Sequence, residues 1–137
     1  MNDGEKIAES IRELEKLRGL RPWACLIVDD DDGVSHTLGF LLERSFNCAV
    51  TYVSCCALAL QALITSDFDY IFMDVIMPQT NGVECFRLVK QKQPNAKVVF
   101  ITGFDDDFEG LRECLDKGAV TIIHKPVEMD HLKQLFP

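Results

Sequence analysis

No run of about 18 consecutive apolar residues occurs in this 137-residue chain, so no membrane-spanning helix is expected. Positive charge is scarce as well. Lys and Arg number 14 against 22 Asp and Glu, a formal net charge of -8, and no Lys/Arg-rich block offsets it. Binding through nucleic-acid phosphates or an anionic membrane surface needs a basic face, so neither is expected. A signal-peptide pattern, internal repeats and low-complexity tracts are also missing. The six cysteines, at 25, 48, 55, 56, 85 and 114, contain no C-x-x-C spacing, which argues against a thiolate metal site or a dithiol redox motif. Four of them lie in apolar runs, and the expectation is reduced, buried thiols in a cytoplasmic protein. What the chain does have is 47% hydrophobic residues, enough for one sizeable core at this length.

Five short apolar runs have strand length, at 25–28, 49–53, 70–73, 98–101 and 120–123. Most are rich in β-branched or aromatic residues, and few alternate with polar ones, as expected of strands covered on both faces. Helical spacing lies between them. Val34, Leu38, Leu41 and Leu42 form one stripe, Leu58, Leu60, Ala62 and Leu63 a second, and Val83, Phe86 and Val89 a third. Phe108, Leu111 and Leu115 continue the rhythm up to Gly118, and a short last helix from about Glu128 carries Leu132, Leu135 and Phe136. Strand and helix thus alternate five times. This predicts an α/β domain over 23–137, a (βα)5 unit with a five-stranded parallel sheet in the flavodoxin-like order 2-1-3-4-5 and helices on both faces. Residues 1–22 fall outside the pattern. Ile7, Ile11, Leu14 and Leu17 are spaced for one face of an amphipathic helix or linker that Arg21-Pro22 ends.

In this topology the ligand crevice lies outside the carboxyl ends of the strands. The strand ends here carry Asp29-Asp30, Asp74, Thr102-Gly103 and His124-Lys125-Pro126. Asp74 ends a hydrophobic run, where a carboxylate must face water or have cationic partners. Asp29, Asp30 and Asp74 would repel one another at one crevice, and a hard divalent ion such as Mg2+ suits them. Asp30 and Asp74 are the expected direct ligands, Asp29 a ligand through water, and the carbonyl of Ile76 a further donor. Within the run 29–32, Asp31 and Asp32 instead suit a helix entry, with Asp32 the expected cap. Thr102 and Lys125 are poor Mg2+ ligands but good donors to phosphoryl oxygens. With them in place, Asp74 reads as a nucleophile toward phosphorus, giving an aspartyl phosphate.

Five pieces in order, Leu26-Ile27-Val28-Asp29-Asp30, Met73-Asp74-Val75-Ile76-Met77-Pro78, Asn81-Gly82, Phe100-Ile101-Thr102-Gly103 and His124-Lys125-Pro126, resemble the receiver domain of two-component response regulators over about residues 23–137. The resemblance implies a phosphoacceptor signalling domain rather than an independent enzyme. Its phosphodonor would be a sensor histidine kinase or phosphotransfer protein, and its output a downstream effector. It also implies Mg2+ at Asp29 and Asp30, phosphate on Asp74, a switching role for Thr102, phosphate contact by Lys125 and a cis Lys125-Pro126 peptide. Self-association through the N-terminal helix is a further expectation.

The chain departs from the family pattern where an aromatic residue is usual three positions before the lysine, since Ile122 stands there. Switching through the loop after Thr102, with Phe104 as a stand-in, is one alternative, and an interaction module with a vestigial site is another. A dehalogenase-type hydrolase would need an acid two residues after Asp74, where Ile76 sits, and no phosphate loop for a flavin follows the first strand. His36, His124 and His131 read as surface or helix residues, Met73 and Met77 as core. In the family geometry Ile76 and Phe104 flank the path of hydrolytic water, and neither side chain can accept its hydrogen bond. A long-lived phosphoryl group is the expectation.

Overall fold

The computed structural model describes residues 2–103 and 110–137, with the side chains of 15–20 outside that description. Phe104, Phe108 and the side chain of Leu17, all named above, therefore lie outside the described residues. The chain runs α1 (Asp3–Leu20), β1 (Trp23–Val28), α2 (Asp32–Ser45), β2 (Cys48–Val53), α3 (Cys56–Thr65), β3 (Tyr70–Asp74), α4 (Gly82–Lys92), β4 (Lys97–Thr102), α5 (Leu111–Asp116), β5 (Thr121–His124) and α6 (Met129–Lys133). All the strand pairs are parallel, in the order β2-β1-β3-β4-β5, as the alternation predicts.

Alternate residues of each strand feed two separate cores, because successive side chains point to opposite faces. Leu26, Val28, Ile71, Met73, Val98 and Phe100 pack under α3, α4 and α5, where Ala59, Leu63, Val83, Phe86, Val89 and Leu111 meet them. Cys25, Ile27, Tyr70, Phe72, Val99 and Ile101 pack on the other face with Leu38 and Leu42 of α2 and Leu132 of α6. Each fully buried side chain of this size contributes about 1.5–3 kcal/mol. Val83, Phe86 and Val89 are buried as their spacing predicts. The reading of α3 is only half right: Leu63 is buried but Leu58 is exposed, and Cys56 and Ala59 turn inward. That helix is apolar nearly all round, so periodicity does not select its inner face.

The helix ends carry clear local signals. The Asp31 side chain caps α2 by accepting from the Val34 N–H at 3.2 Å, one residue earlier than the expected Asp32. Asn81 caps α4 through the Glu84 N–H at 3.0 Å. Gly118 takes φ 107° after α5, and the Ala119 N–H returns to the Cys114 carbonyl at 2.8 Å, a Schellman closure that the predicted stop at Gly118 anticipates. Within α5 the inward pair is Leu111 and Cys114, whereas Leu115 is partly exposed. α1 contributes no buried residue among those described, and Ile7, Ile11 and Leu14 lie half or more exposed. No described helix is long and apolar enough to cross a membrane.

The expectation of reduced thiols throughout is overturned. Cys56, the first residue of α3, and Cys85 of α4 are joined as a disulfide, with Cα atoms 5.8 Å apart. Reduced thiols are retained at Cys25, Cys48, Cys55 and Cys114 only. The pairing was hidden because 29 residues separate the two, and adjacent helices on one sheet face bring them together.

Candidate functional site

Parallel register sets the strand ends side by side. Val28 pairs with Met73 and with Val53, Asp74 pairs with Ile101, and Thr102 pairs with His124. The residue after each of β1 and β5, Asp29 and Lys125, is therefore carried to the same edge as Asp74. Main-chain bonds extend the alignment past the strands: the Asp29 N–H donates to the Val53 carbonyl at 3.1 Å, and the Lys125 N–H to the Thr102 carbonyl at 2.8 Å. The Lys125-Pro126 peptide is cis, as the resemblance implies.

At this edge Lys125 Nζ lies 3.3 Å from Asp29 Oδ2 and 3.5 Å from Asp74 Oδ2. The ammonium thus bridges two carboxylates that are 4% and 8% exposed. Asp30 completes the group from the solvent side, and one oxygen from each of Asp29, Asp30 and Asp74 falls within 4.8 Å of the others. Two like unit charges at such a separation repel by about 3–4 kcal/mol at an effective dielectric of about 20. Asp29 is steadied by the Asp31 N–H, which donates to its Oδ1 at 2.9 Å. Thr102 is buried one residue beyond Ile101, the register partner of Asp74. Ile76 is 45% exposed and forms an isolated antiparallel bridge with Asn81.

The loop after Asp74 is shaped by a close approach that only glycine permits. A Cβ on Gly82 would come within 2.6 Å of the Asp74 carbonyl oxygen and 2.9 Å of Val75 Cα. The Gly82 N–H meanwhile donates to the Val75 carbonyl at 2.7 Å. Asn81-Gly82 therefore closes the loop and starts α4 directly against the carboxylate's own backbone. The Asn81-Gly82 pair is visible in the sequence, but the contact that makes the glycine necessary is not.

Burial, and next the Asp29 carboxylate, push Asp74 up to about 6, while Lys125 and the Ile76 N–H hold it down only in part. Among the described residues one ammonium contacts the pair, which leaves negative charge unbalanced. An all-oxygen donor set with that imbalance fits a hard divalent cation. Ile122 pairs with Phe100 and is partly buried against the core under α4 and α5. His36 stacks on Tyr52, and His131 accepts from the Glu128 N–H at 3.1 Å, so neither joins the site. His124 is exposed at the end of β5.

The raised Asp74 value has a consequence for stability. The folded protein binds this proton more tightly than the unfolded chain, whose carboxyl titrates near 3.8, so ionising Asp74 lowers stability as pH rises from 3.8 to about 6. Asp74→Asn, without Mg2+, is expected to stabilise the protein at pH 7.5 by about 1–3 kcal/mol, the gain shrinking as pH falls below 6. Urea unfolding of both proteins across this range checks it. A variant less stable at pH 7.5 would contradict the assigned electrostatics.

Comparison with known proteins agrees with this geometry. The response regulator receiver domain family matches residues 25–136. The transcriptional regulatory protein FixJ of Azorhizobium caulinodans is 33% identical over 102 residues, covering 74% of this chain and 47% of that protein. A cyclic di-GMP phosphodiesterase of Thermotoga maritima is 32% identical over 109 residues, covering 79% of this chain and 28% of its own length. The chain thus spans about half or less of the length of these relatives. A response regulator receiver domain protein of Methanospirillum hungatei superposes with a TM-score of 0.76 at 25% identity, covering 83% of this chain and 90% of that one. Sequence, sheet order and the carboxylate edge converge: the chain belongs to the response regulator receiver domain family, the phosphoacceptor module of two-component systems.

Proposed function

We propose that Asp74 accepts a phosphoryl group from a sensor histidine kinase or phosphotransfer protein in a Mg2+-dependent reaction, and that the modified chain then acts on a downstream effector. The observation that carries this reading is the double ion pair of Lys125 with Asp29 and Asp74. Asp29, Asp30 and Asp74, with the Ile76 carbonyl, are the proposed Mg2+ donors. When bound, the ion supplies positive charge to the phosphoryl oxygens. An Asp74 carboxylate oxygen attacks phosphorus as the bond to the donor nitrogen breaks, and the new acyl phosphate stays on Asp74. Lys125 turns its ammonium from the carboxylates to a phosphoryl oxygen, a charge-assisted contact. Thr102, buried beside this edge, is the proposed second phosphoryl donor and switching residue.

The proposed setting is the cytoplasm. Residues 1–22 are proposed as a unit separate from the receiver domain over 23–137. The exposed Ile7, Ile11 and Leu14 support a role for α1 in self-association or docking.

Incubating the protein with a small acyl phosphate and Mg2+ should add one phosphate mass, absent from Asp74→Asn. Lys125→Ala should slow uptake roughly 100-fold, the usual cost of losing a transition-state donor. Uptake by Asp74→Asn would refute the assignment. The same sample followed over time tests persistence. Ile76 is exposed next to Asp74 and has no side-chain acceptor for a hydrolytic water. Ile76→Asn is therefore expected to shorten the phosphoryl lifetime by about tenfold, since positioning one water by a polar neighbour has an effect of that order or more. Equal decay would remove Ile76 from control of hydrolysis.

A further inference from the structure

Cys56–Cys85 lies in the core under α3 and α4 and ties together the two helices that follow the site's loops. Cys56 comes three residues after Val53, whose carbonyl holds the Asp29 N–H. Cys85 donates its N–H to the carbonyl of Asn81 at 3.1 Å, and the adjoining Gly82 packs on the Asp74 carbonyl. The bond therefore fastens the loop beside Asp29 to the loop after Asp74.

Cys56 is only 5% exposed, but it borders a surface groove. Cys56 lines an open groove of about 250 Å³ with Cys55, Leu60, Pro78, Gln79 and Leu88. Cys56 begins α3, whose N-cap residue Cys55 makes no side-chain capping bond, and a helix N-terminus favours a thiolate. Cys85 is fully buried within α4. Disulfides in cytoplasmic proteins are in general transient or redox-sensing, so an exchangeable bond fits the setting proposed above.

We propose that Cys56–Cys85 is a thiol–disulfide exchange site for low-molecular-weight thiols of the glutathione class, and that its state sets the lifetime of the phosphoryl group on Asp74. The second half rests on Asp74 being the phosphoacceptor. A thiolate entering the groove attacks Cys56 Sγ, forming a mixed disulfide, and Cys85 leaves as a thiolate that takes up the proton given up by the incoming thiol. A second thiolate attacks the outer sulfur of the mixed disulfide and expels the Cys56 thiolate, which is stabilised by the α3 N-terminus and then protonated. Two thiols are oxidised to one small disulfide as the protein gains two electrons and two protons. A small disulfide drives the reverse. Reduction releases the two loops from each other, and water reaches the acyl phosphate more readily.

The test equilibrates the full chain in buffers of varied reduced-to-oxidised glutathione ratio, then alkylates it under denaturing conditions for intact mass and peptide mapping. The expected result is a reversible change from four alkylated cysteines to six, with the Cys56 and Cys85 peptides linked only in the former. Phosphoryl decay is then followed at both extremes. Reduction should shorten the lifetime by about fivefold or more, the low end of coupling between sites, and Cys56→Ala should decay at the reduced rate under both conditions. Four alkylated cysteines at every ratio, six at every ratio, or a lifetime equal or longer after reduction overturns the proposal. The wild-type comparison needs no variant, so a substitution that fails to fold leaves the test standing. If neither redox form takes up phosphate, the Asp74 reading fails, while the alkylation counts still decide whether the bond exchanges.

Discussion

The repulsion among Asp29, Asp30 and Asp74 is the constraint around which this molecule is organised. Three carboxylates with oxygens within 4.8 Å of one another, two of them buried, cost free energy that the fold must supply from elsewhere. Lys125 offsets part of it by bridging Asp29 and Asp74, and the raised Asp74 value marks what is left. A fold selected for stability alone would replace such a cluster with apolar side chains. The retained charge makes the edge receptive to a cation and to a group that the cation can neutralise.

The surrounding architecture holds that cluster in place rather than relaxing it. Two cores, one on each sheet face, fix the strands whose ends carry the charged groups. Main-chain bonds from Asp29 to Val53 and from Lys125 to Thr102 continue the sheet one residue past its regular strands, so these charged side chains start from ladder positions. Gly82 lets α4 begin against the Asp74 carbonyl, and the link between Cys56 and Cys85 draws α3 to α4 close by. Local support of this kind keeps the carboxylates from spreading apart, which is the easiest way for them to lower their repulsion.

Much of this was legible in the sequence because it depends on order and period. Apolar runs alternating with helical spacing determine a parallel sheet, and the sheet brings Asp29, Asp30, Asp74 and Lys125 to one edge however far apart they lie in the chain. The weaker readings concern choices made by tertiary packing. α3 has apolar residues on most faces, so which of them point inward is decided by its neighbours, and Leu58 stays outside while Cys56 goes in. The Cys56–Cys85 bond joins residues on different helices, and no local spacing encodes it. In the run Asp29–Asp32 every residue offers the same carboxylate. Which one caps α2 depends on backbone geometry at Asp31, a difference of one position that composition does not carry.

The central claim is that unbalanced charge on Asp74 is held ready for a divalent cation, and calorimetric titration of Mg2+ at pH 6 and pH 8 in buffers of different ionisation enthalpy tests it most directly. With Asp74 near 6, Mg2+ should displace roughly half a proton per ion at pH 6 and almost none at pH 8, because a metal-bound carboxylate must be ionised. The displaced proton should vanish in Asp74→Asn. Binding heats at pH 6 that are the same in every buffer, or a proton release that persists in Asp74→Asn, would contradict the account.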